Sequence, residues 1–224
     1  ATKFNEGGRG KRFDFDGTRT LETRLDGDGG FQTAEAATIF QTNPVVVTNP
    51  PFSKFREFWT VLQQHDVDFL ILGNMNAVTY KDVVPDLVEG RAWVGTQEMS
   101  CNRWFLRPNG EQESLRQTVW LTNLHHTERD EKWVPLTATY DPERHPRYDN
   151  YDAIEVSKVV DIPADYDGVM GVPITFLLKH NPNQFQIVRF RHGSDGKDLT
   201  VAGRTPYFRI LIRRVQAAEA KEAA

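Results

Sequence analysis

The stretch Val45-Val46-Val47-Thr48-Asn49-Pro50-Pro51-Phe52 decides how this chain is read. Three consecutive β-branched residues predict a short buried strand, and the prolines that follow cannot enter a sheet ladder, so the chain must leave the sheet at Asn49. A turn stiffened by two prolines holds its polar groups in fixed directions. The Asn49 side chain offers an amide oxygen, the Asn49 and Pro50 carbonyls have no ladder or helix to enter, and Phe52 adds a flat apolar ring. Such a set suits an exocyclic amino group on an aromatic heterocycle. Two acceptors take its two N–H hydrogens, the heterocycle stacks on Phe52, and the nitrogen lone pair is left free to attack. An Asn-Pro pair by itself marks only a strand end, as Asn43-Pro44 does in this chain. The longer string is more specific, because an apolar strand precedes it and an amphipathic helix follows.

Working outward, Ser53 is placed to cap a helix running to about Gln64, with Phe55, Phe58, Trp59 and Leu62 on one face as core packing. Asp68-Phe69-Leu70-Ile71-Leu72-Gly73 predicts a second buried strand, apolar as a parallel strand covered on both faces should be. Strand, helix and strand form a right-handed crossover, which places Asn49 and Gly73-Asn74 at one C-terminal sheet edge, where doubly wound folds bind ligands. Asn74 and Asn76 then either shape a base pocket or cap a short helix predicted over Ala77–Val88.

Upstream, residues 1 to about 30 read as loop with at most a short strand, and Gly7-Gly8-Arg9-Gly10 as a flexible loop. Asp26-Gly27-Asp28-Gly29-Gly30-Phe31 reads as a turn leading into a helix over Thr33–Phe40.

Val-Val-Thr-Asn-Pro-Pro-Phe resembles the catalytic motif of amino-group methyltransferases that use S-adenosylmethionine, in the form typical of DNA adenine methyltransferases. Later stretches narrow the resemblance: Gly73-Asn74-Met75-Asn76-Ala77-Val78-Thr79-Tyr80-Lys81, Tyr148-Asp149-Asn150-Tyr151-Asp152-Ala153-Ile154-Glu155-Val156, and Asp165-Tyr166-Asp167-Gly168-Val169-Met170-Gly171-Val172-Pro173-Ile174-Thr175-Phe176. Together, from about Gly27 to about Arg214, they are similar to the EcoRI-type adenine-specific DNA methyltransferases. The resemblance implies an α/β fold: a Rossmann-like methyltransferase sheet, incomplete at its N-terminus, with an irregular β-rich C-terminal region that recognises the target. It implies catalytic roles for Asn49, Pro50, Pro51 and Phe52, and base contacts for Asn74 and Asn76. It also implies a cofactor contact at Phe31, where the related enzymes carry an acid followed by Phe. Gly30 stands in the place of that acid, with Asp28 as a substitute. No strand and Gly-rich cofactor loop precedes residue 45, so the expectation is a chain that starts partway through its family's pattern, with an N-terminal segment or a second chain completing the cofactor site.

A chain of 224 residues with 39% hydrophobic content can bury a core of one domain with an appended lobe. No apolar run reaches membrane-span length and the first residues are not signal-like, which leads to a cytoplasmic expectation. Cys101 is the single cysteine and cannot form an internal disulfide; no Cys/His spacing suggests zinc. Net charge is -4 and the pI about 5.9, which argues against a generally basic nucleic-acid-coating protein. A DNA enzyme would need a local basic face, for which Arg189, Arg191, Lys197, Arg204, Arg209, Arg213 and Arg214 are candidates, unless they are only a solvated surface.

From Trp93 onward, Ala92–Gly95, Arg103–Arg107, Thr118–Leu124 and Trp133–Thr139 predict antiparallel strands completing the sheet. His125-His126 lacks a third ligand at metal spacing and reads as loop histidines. Residues 140–185 are rich in Tyr, Asp, Asn and Pro, with Ile154–Val160 and Val172–Leu178 as regular segments. Such a stretch either reads bases or is a structured elaboration. Phe185–Arg191 and Tyr207–Val215 read as strands and Ala217–Ala224 as a frayed helical tail. The resulting division is a partial catalytic core over 1–139, a target-recognition region over 140–216 and a tail over 217–224.

The expected activity is therefore site-specific adenine-N6 methylation of double-stranded DNA from S-adenosylmethionine, as in restriction-modification. The target adenine is flipped into the Asn49 edge, with no metal and no covalent enzyme intermediate. No general base is required if the amine sheds its proton after transfer. Two alternatives stay open: methylation of an RNA base or a glutamine side chain, and a DNA-binding fragment without activity.

Overall fold

The computed structural model describes residues 2–3, 8–95, 103–107, 109–115, 117–191, 198–206 and 208–215. Cys101, Lys197, Tyr207, Gly7 and the predicted tail over 217–224 lie outside them. The chain divides into two compact units, Ala1–Leu72 and Gly73–Ala224.

The first unit opens on an antiparallel sheet where the sequence predicts loop: β1 (Thr2–Lys3), β2 (Lys11–Phe15) and β3 (Thr20–Arg24). Charge pairs hide its strand signal from a hydropathy reading, because cross-strand Lys11 and Glu22 meet at 2.5 Å. Gly10, predicted flexible, is held firmly. Its N–H donates to the Gly27 carbonyl at 2.8 Å and its carbonyl accepts from Leu25 at 2.9 Å. Helix α1 (Ala34–Thr42) begins where predicted, capped by the Thr33 hydroxyl, which accepts from Ala36 N at 3.2 Å.

Strand β4 (Val45–Thr48) pairs in parallel with β5 (Asp68–Asn74), Val45 opposite Asp68 and Thr48 opposite Ile71. Between them runs α2 (Phe55–His65), ended by Asp66 in the left-handed conformation at φ 48°. Its buried residues Phe55, Phe58, Trp59 and Leu62 recur at helical spacing. Trp59 is fully buried, edge-on to Phe69 of β5 at 5.1 Å, and Phe58 meets Phe31 at 5.1 Å. Each such side chain contributes about 2 kcal/mol of burial. Two expectations fail here. Strand β4 is not buried: Val45 and Val47 are exposed and Val46 and Thr48 half-buried, the alternation of a strand covered on one face. Ser53 does not cap α2. It lies inside a 3-10 turn, Phe52–Lys54, and the helix starts without a side-chain cap.

In the second unit the predicted helix over Ala77–Val88 is two pieces, a 3-10 turn over Met75–Thr79 and α3 (Val84–Val88), with Pro85 fitted at the helix start. Strand β6 (Trp93–Val94) follows. Next come the hairpin β7 (Arg103–Leu106) and β8 (Gln112–Leu115), whose second strand the sequence did not disclose, and β9 (Thr118–Thr122), antiparallel to β6. Helix α4 (Thr127–Glu131) follows. The predicted strand Trp133–Thr139 does not form. Instead of a ladder, Gln184 holds this segment: Val134 N donates to Gln184 Oε1 at 2.7 Å and Gln184 Nε2 donates to the Val134 carbonyl at 2.8 Å. The C-terminal sheet has the order β10 (Ile154–Glu155), β11 (Met170–Pro173), β13 (Arg209–Arg214), β12 (Phe185–Arg191). Only the β10–β11 pair is parallel. Among the described residues no helix is long and apolar enough to cross a membrane.

Candidate functional site

The parallel register of β4 and β5 delivers Asn49 to the end of its strand, one residue past Thr48. The 3-10 turn that follows uses the Pro51 carbonyl, which accepts from Lys54 N at 2.9 Å, and the Phe52 carbonyl, which accepts from Phe55 N. It does not use the Pro50 carbonyl. Asn49 is exposed and its amide has no hydrogen-bond partner among the described residues, Pro50 is buried, and Phe52 keeps 41% of its surface exposed. A buried proline therefore anchors a turn from which an unpaired amide and an open aromatic ring project. At the start of α2, Phe55 stacks on Trp59 one turn along the same helix at 6.1 Å. The Asn49 amide and the Phe52 ring, two of the groups that the sequence reading singles out, are thus open to solvent.

Also in the first unit, Asp28 lies in a tight turn and Oδ1 accepts from Gly30 N at 2.8 Å. The Glu35 carboxylate, from the first turn of α1, accepts from Asp26 N at 2.9 Å and Gly27 N at 2.8 Å. Phe31 follows, half-exposed, its ring edge-packed on Phe58 and bordering an open cleft between α1 and α2. The second Asp28 oxygen has no hydrogen bond among the described residues, and Phe31 remains partly exposed. The acid expected at position 30 is absent, as the sequence states. Glu35, which orders the loop, was missed. Its signal was an acid at the start of α1, eight and nine residues beyond the backbone it binds.

In the second unit the Asn74 side chain caps the turn over Met75–Thr79, accepting from Asn76 N at 2.9 Å. Asn76 is exposed. Asn74 thus caps this turn.

The motif Tyr148–Val156 is largely consumed by its own framework. Asp149 accepts from Gly203 N at 2.9 Å and Ala202 N at 3.2 Å, which holds its carboxyl below the usual carboxylate range. Asn150 Nδ2 donates to the Asp198 carbonyl at 2.5 Å, and Asn150 Oδ1 accepts from Thr200 N at 3.1 Å. Buried Glu155 receives Arg209 through Nε at 2.9 and 3.0 Å and through Nη2 at 2.5 Å, and the Tyr148 hydroxyl donates to it as well. Burial, and then this bond, push the Tyr148 phenol well above its ordinary range. Among the candidate basic residues, Arg209 is thus internal. Arg214 donates to the Ala164 carbonyl and lies 3.8 Å from Asp167, and Arg213 donates to Gln186 at 3.1 Å. Arg189 stays exposed. His126 is no loop histidine: it caps α4, its Nδ1 accepting from Arg129 N at 3.3 Å, while His125 Nε2 donates to Asp130 at 2.6 Å. Among the described residues no cluster of His, Cys, Asp or Glu could hold a metal ion.

The family model described as "Adenine-specific methyltransferase EcoRI" matches residues 5–215. The chain is 45% identical to the Type II methyltransferase M.EcoRI of Escherichia coli over 84% of its own length, and spans 62% of that relative. It is 32% identical to the Type II methyltransferase M.MpnI of Mycoplasma pneumoniae, covering 96% of this chain and 78% of the relative. M.MgeORF184P of Mycoplasma genitalium, also a Type II methyltransferase, is 31% identical over 95% of this chain and 78% of the relative. No solved structure matches the chain significantly.

Proposed function

The chain belongs to the EcoRI-type adenine-specific methyltransferase family, and from that membership we propose that it carries the base-gripping part of a site-specific DNA adenine-N6 methyltransferase, as in restriction-modification. The observation that carries the reading is the turn at the end of β4: an exposed Asn49 amide without a partner, the Pro50 carbonyl outside the 3-10 turn, and an open Phe52 ring. The parallel β4–α2–β5 unit supports a Rossmann-like methyltransferase sheet. In this reading residues 1–139 form the catalytic core, 140–216 recognise the target and 217–224 are a tail.

In a stacked, paired adenine one amino hydrogen is held by thymine and both ring faces are covered, so the target flips out of the duplex to meet two new acceptors and an aromatic ring. Asn49 Oδ1 and the Pro50 carbonyl accept the two amino hydrogens, and Phe52 stacks on the purine. Accepting both hydrogens draws the nitrogen toward tetrahedral geometry and turns its lone pair outward. Pro51 keeps the turn from relaxing, so the acceptors need no reorganisation when charge develops on nitrogen. Asn74, through its cap on the Met75–Thr79 turn, and exposed Asn76 are assigned to the base-contacting surface. S-adenosylmethionine supplies the methyl group when bound. Phe31 would carry its adenosine, and the free oxygen of Asp28 would accept from its ribose.

Transfer of a labelled methyl group to adenine in duplex DNA, compared for the wild type and Asn49→Ala, tests the reading. The expected result is a fall of about 10²–10³-fold with folding intact; an unchanged rate would overturn it. RNA and glutamine-containing peptide substrates run in parallel separate the alternative acceptors. Gly30 in the acid position favours one other reading, a DNA-binding module without activity. Absence of S-adenosylmethionine binding in a calorimetric titration would select it.

A further inference from the structure

Within the second unit, α4, the Trp133 segment and the two 3-10 turns over Val159–Asp161 and Ile174–Lys179 enclose a cleft of about 870 Å³. Two residues of its lining carry buried N–H groups with no acceptor among the described residues, Arg129 Nε and His126 Nε2, and Trp93 Nε1 behind them is a third. They adjoin one another, because the Arg129 guanidinium lies 4.2 Å over the Trp93 ring and the Arg129 backbone N–H is bonded to His126 Nδ1. That bond makes Nδ1 the acceptor, so neutral His126 carries its proton on the unpartnered Nε2. An unmet donor of this kind costs about 1–3 kcal/mol, and three together are hard to account for as packing. Being buried, they cannot themselves meet a ligand, so the contacts open to one are those of the exposed side chains on the cleft.

The surroundings give the charge of that ligand. Lys132, Lys158 and Lys179 line the same cleft, exposed and without an ion pair among the described residues, against a single acid, Glu128. The cleft also offers an apolar surface larger than an inorganic anion can use. Trp133 remains 58% exposed and Val160 61% exposed on its rim. Trp133 is not loose: Asn181 Nδ2 donates to the Asp130 carbonyl at 2.8 Å and Gln184 brackets Val134, so both sides of its peptide are fastened. Cations beside a rigid, open aromatic ring are the two elements that hold a nucleotide, phosphate on the first and base on the second.

We propose that this cleft is a nucleotide site distinct from the Asn49 turn, with Lys132, Lys158 and Lys179 taking a phosphate and Trp133 stacking its base. Methyl transfer does not enter the proposal, but a nucleotide held within a DNA strand would rest on the target-recognition role proposed for residues 140–216. The same chemistry has two sources, a nucleotide within a nucleic-acid strand and a free mononucleotide.

Calorimetric titration of the full chain with thymidine 5′-phosphate tests the site without using an adenine that the Asn49 turn could take. Saturable binding is expected, about tenfold weaker in Lys158→Glu/Lys179→Glu and in Trp133→Ala, and unchanged in Asn49→Ala. Thymidine and inorganic phosphate are expected to bind about tenfold more weakly than the nucleotide. A short oligothymidylate that binds more tightly than the monomer identifies a strand as the source; the reverse order identifies the free nucleotide. The substituted lysines and Trp133 are exposed, so far-UV circular dichroism of the variants should match the wild type. No binding of either nucleotide probe, binding indifferent to both variants, or equal affinity for inorganic phosphate would overturn the proposal. A failed methylation assay with intact thymidine 5′-phosphate binding would count against the Asn49 reading alone.

Discussion

Arg209 on β13 closes its guanidinium onto both carboxylate oxygens of Glu155 on β10, two strands away across β11. Their side chains are 12% and 8% exposed, so the pair is largely out of water, and Tyr148 donates to the same carboxylate. Gly171 on β11 leaves room for that phenol: a Cβ there would fall on the Tyr148 hydroxyl. Three separated stretches, two of them in the motifs that carry the family resemblance, thus converge on one buried charge.

Removing one partner leaves the other charged and unmatched. Arg209→Met should destabilise the protein by about 3–5 kcal/mol, read as a lower urea midpoint at unchanged slope. The double variant Arg209→Met/Glu155→Gln should recover part of the loss, because the buried charge is then gone. A double variant no more stable than the single one would show that the ion pair is not what Arg209 supplies.

Gly10 packs against the turn that carries Asp28. A Cβ at Gly10 would lie 2.7 Å from Asp28 C and O and from Gly29 N, all backbone atoms that cannot swing aside. Gly10→Ala should therefore cost about 1–3 kcal/mol in thermal or denaturant unfolding. If the Asp28 turn serves the cofactor, affinity for S-adenosylmethionine should fall as well. Wild-type stability in the variant would mean that the turn moves freely.

Stability should also depend on pH through His180. Burial lowers its pKa from 6.5 to about 4, opposed in part by the bond from Nε2 to the Phe185 carbonyl at 2.8 Å. The folded protein therefore binds fewer protons at this site than the unfolded chain between pH 6.5 and 4. Its contribution is fully present above 6.5 and is lost as pH falls through that window, up to about 3 kcal/mol. Melting temperatures at pH 7 and pH 5 should differ more in the wild type than in His180→Gln, and equal differences would exclude His180 as the cause.

Much of the first unit was legible in the sequence. The 3.6-residue recurrence of Phe55, Phe58, Trp59 and Leu62 and the apolar run Phe69–Leu72 are local patterns, and each forms the element it predicts. Thr33 caps α1 because its hydroxyl reaches a neighbour three residues on, again a local matter. The N-terminal hairpin was hidden because its few apolar residues face polar ones, Phe13 opposite Glu22 and Leu21 opposite Asp14, with Lys11 reaching diagonally to Glu22. The Trp133 segment looked like a strand for the opposite reason: its alternation is real, but side chains from residues 181 and 184, about fifty positions away, satisfy its backbone.

The sequence by itself determined the family, the rigid turn at Asn49–Phe52 and the chemistry that such a turn can hold, since these depend on residue types and on neighbours along the chain. Only the tertiary structure decided which polar residues are free to act. Asp149, Asn150 and Arg209 resemble a DNA-reading surface in one dimension, yet partners some fifty residues away take them up. Arg129, His126 and Trp93 show no motif, yet folding buries their N–H groups with no acceptor among the described residues. A hydrogen-bond group is spent or spare according to what the fold brings within about 3 Å of it, and that distance is not written in sequence order.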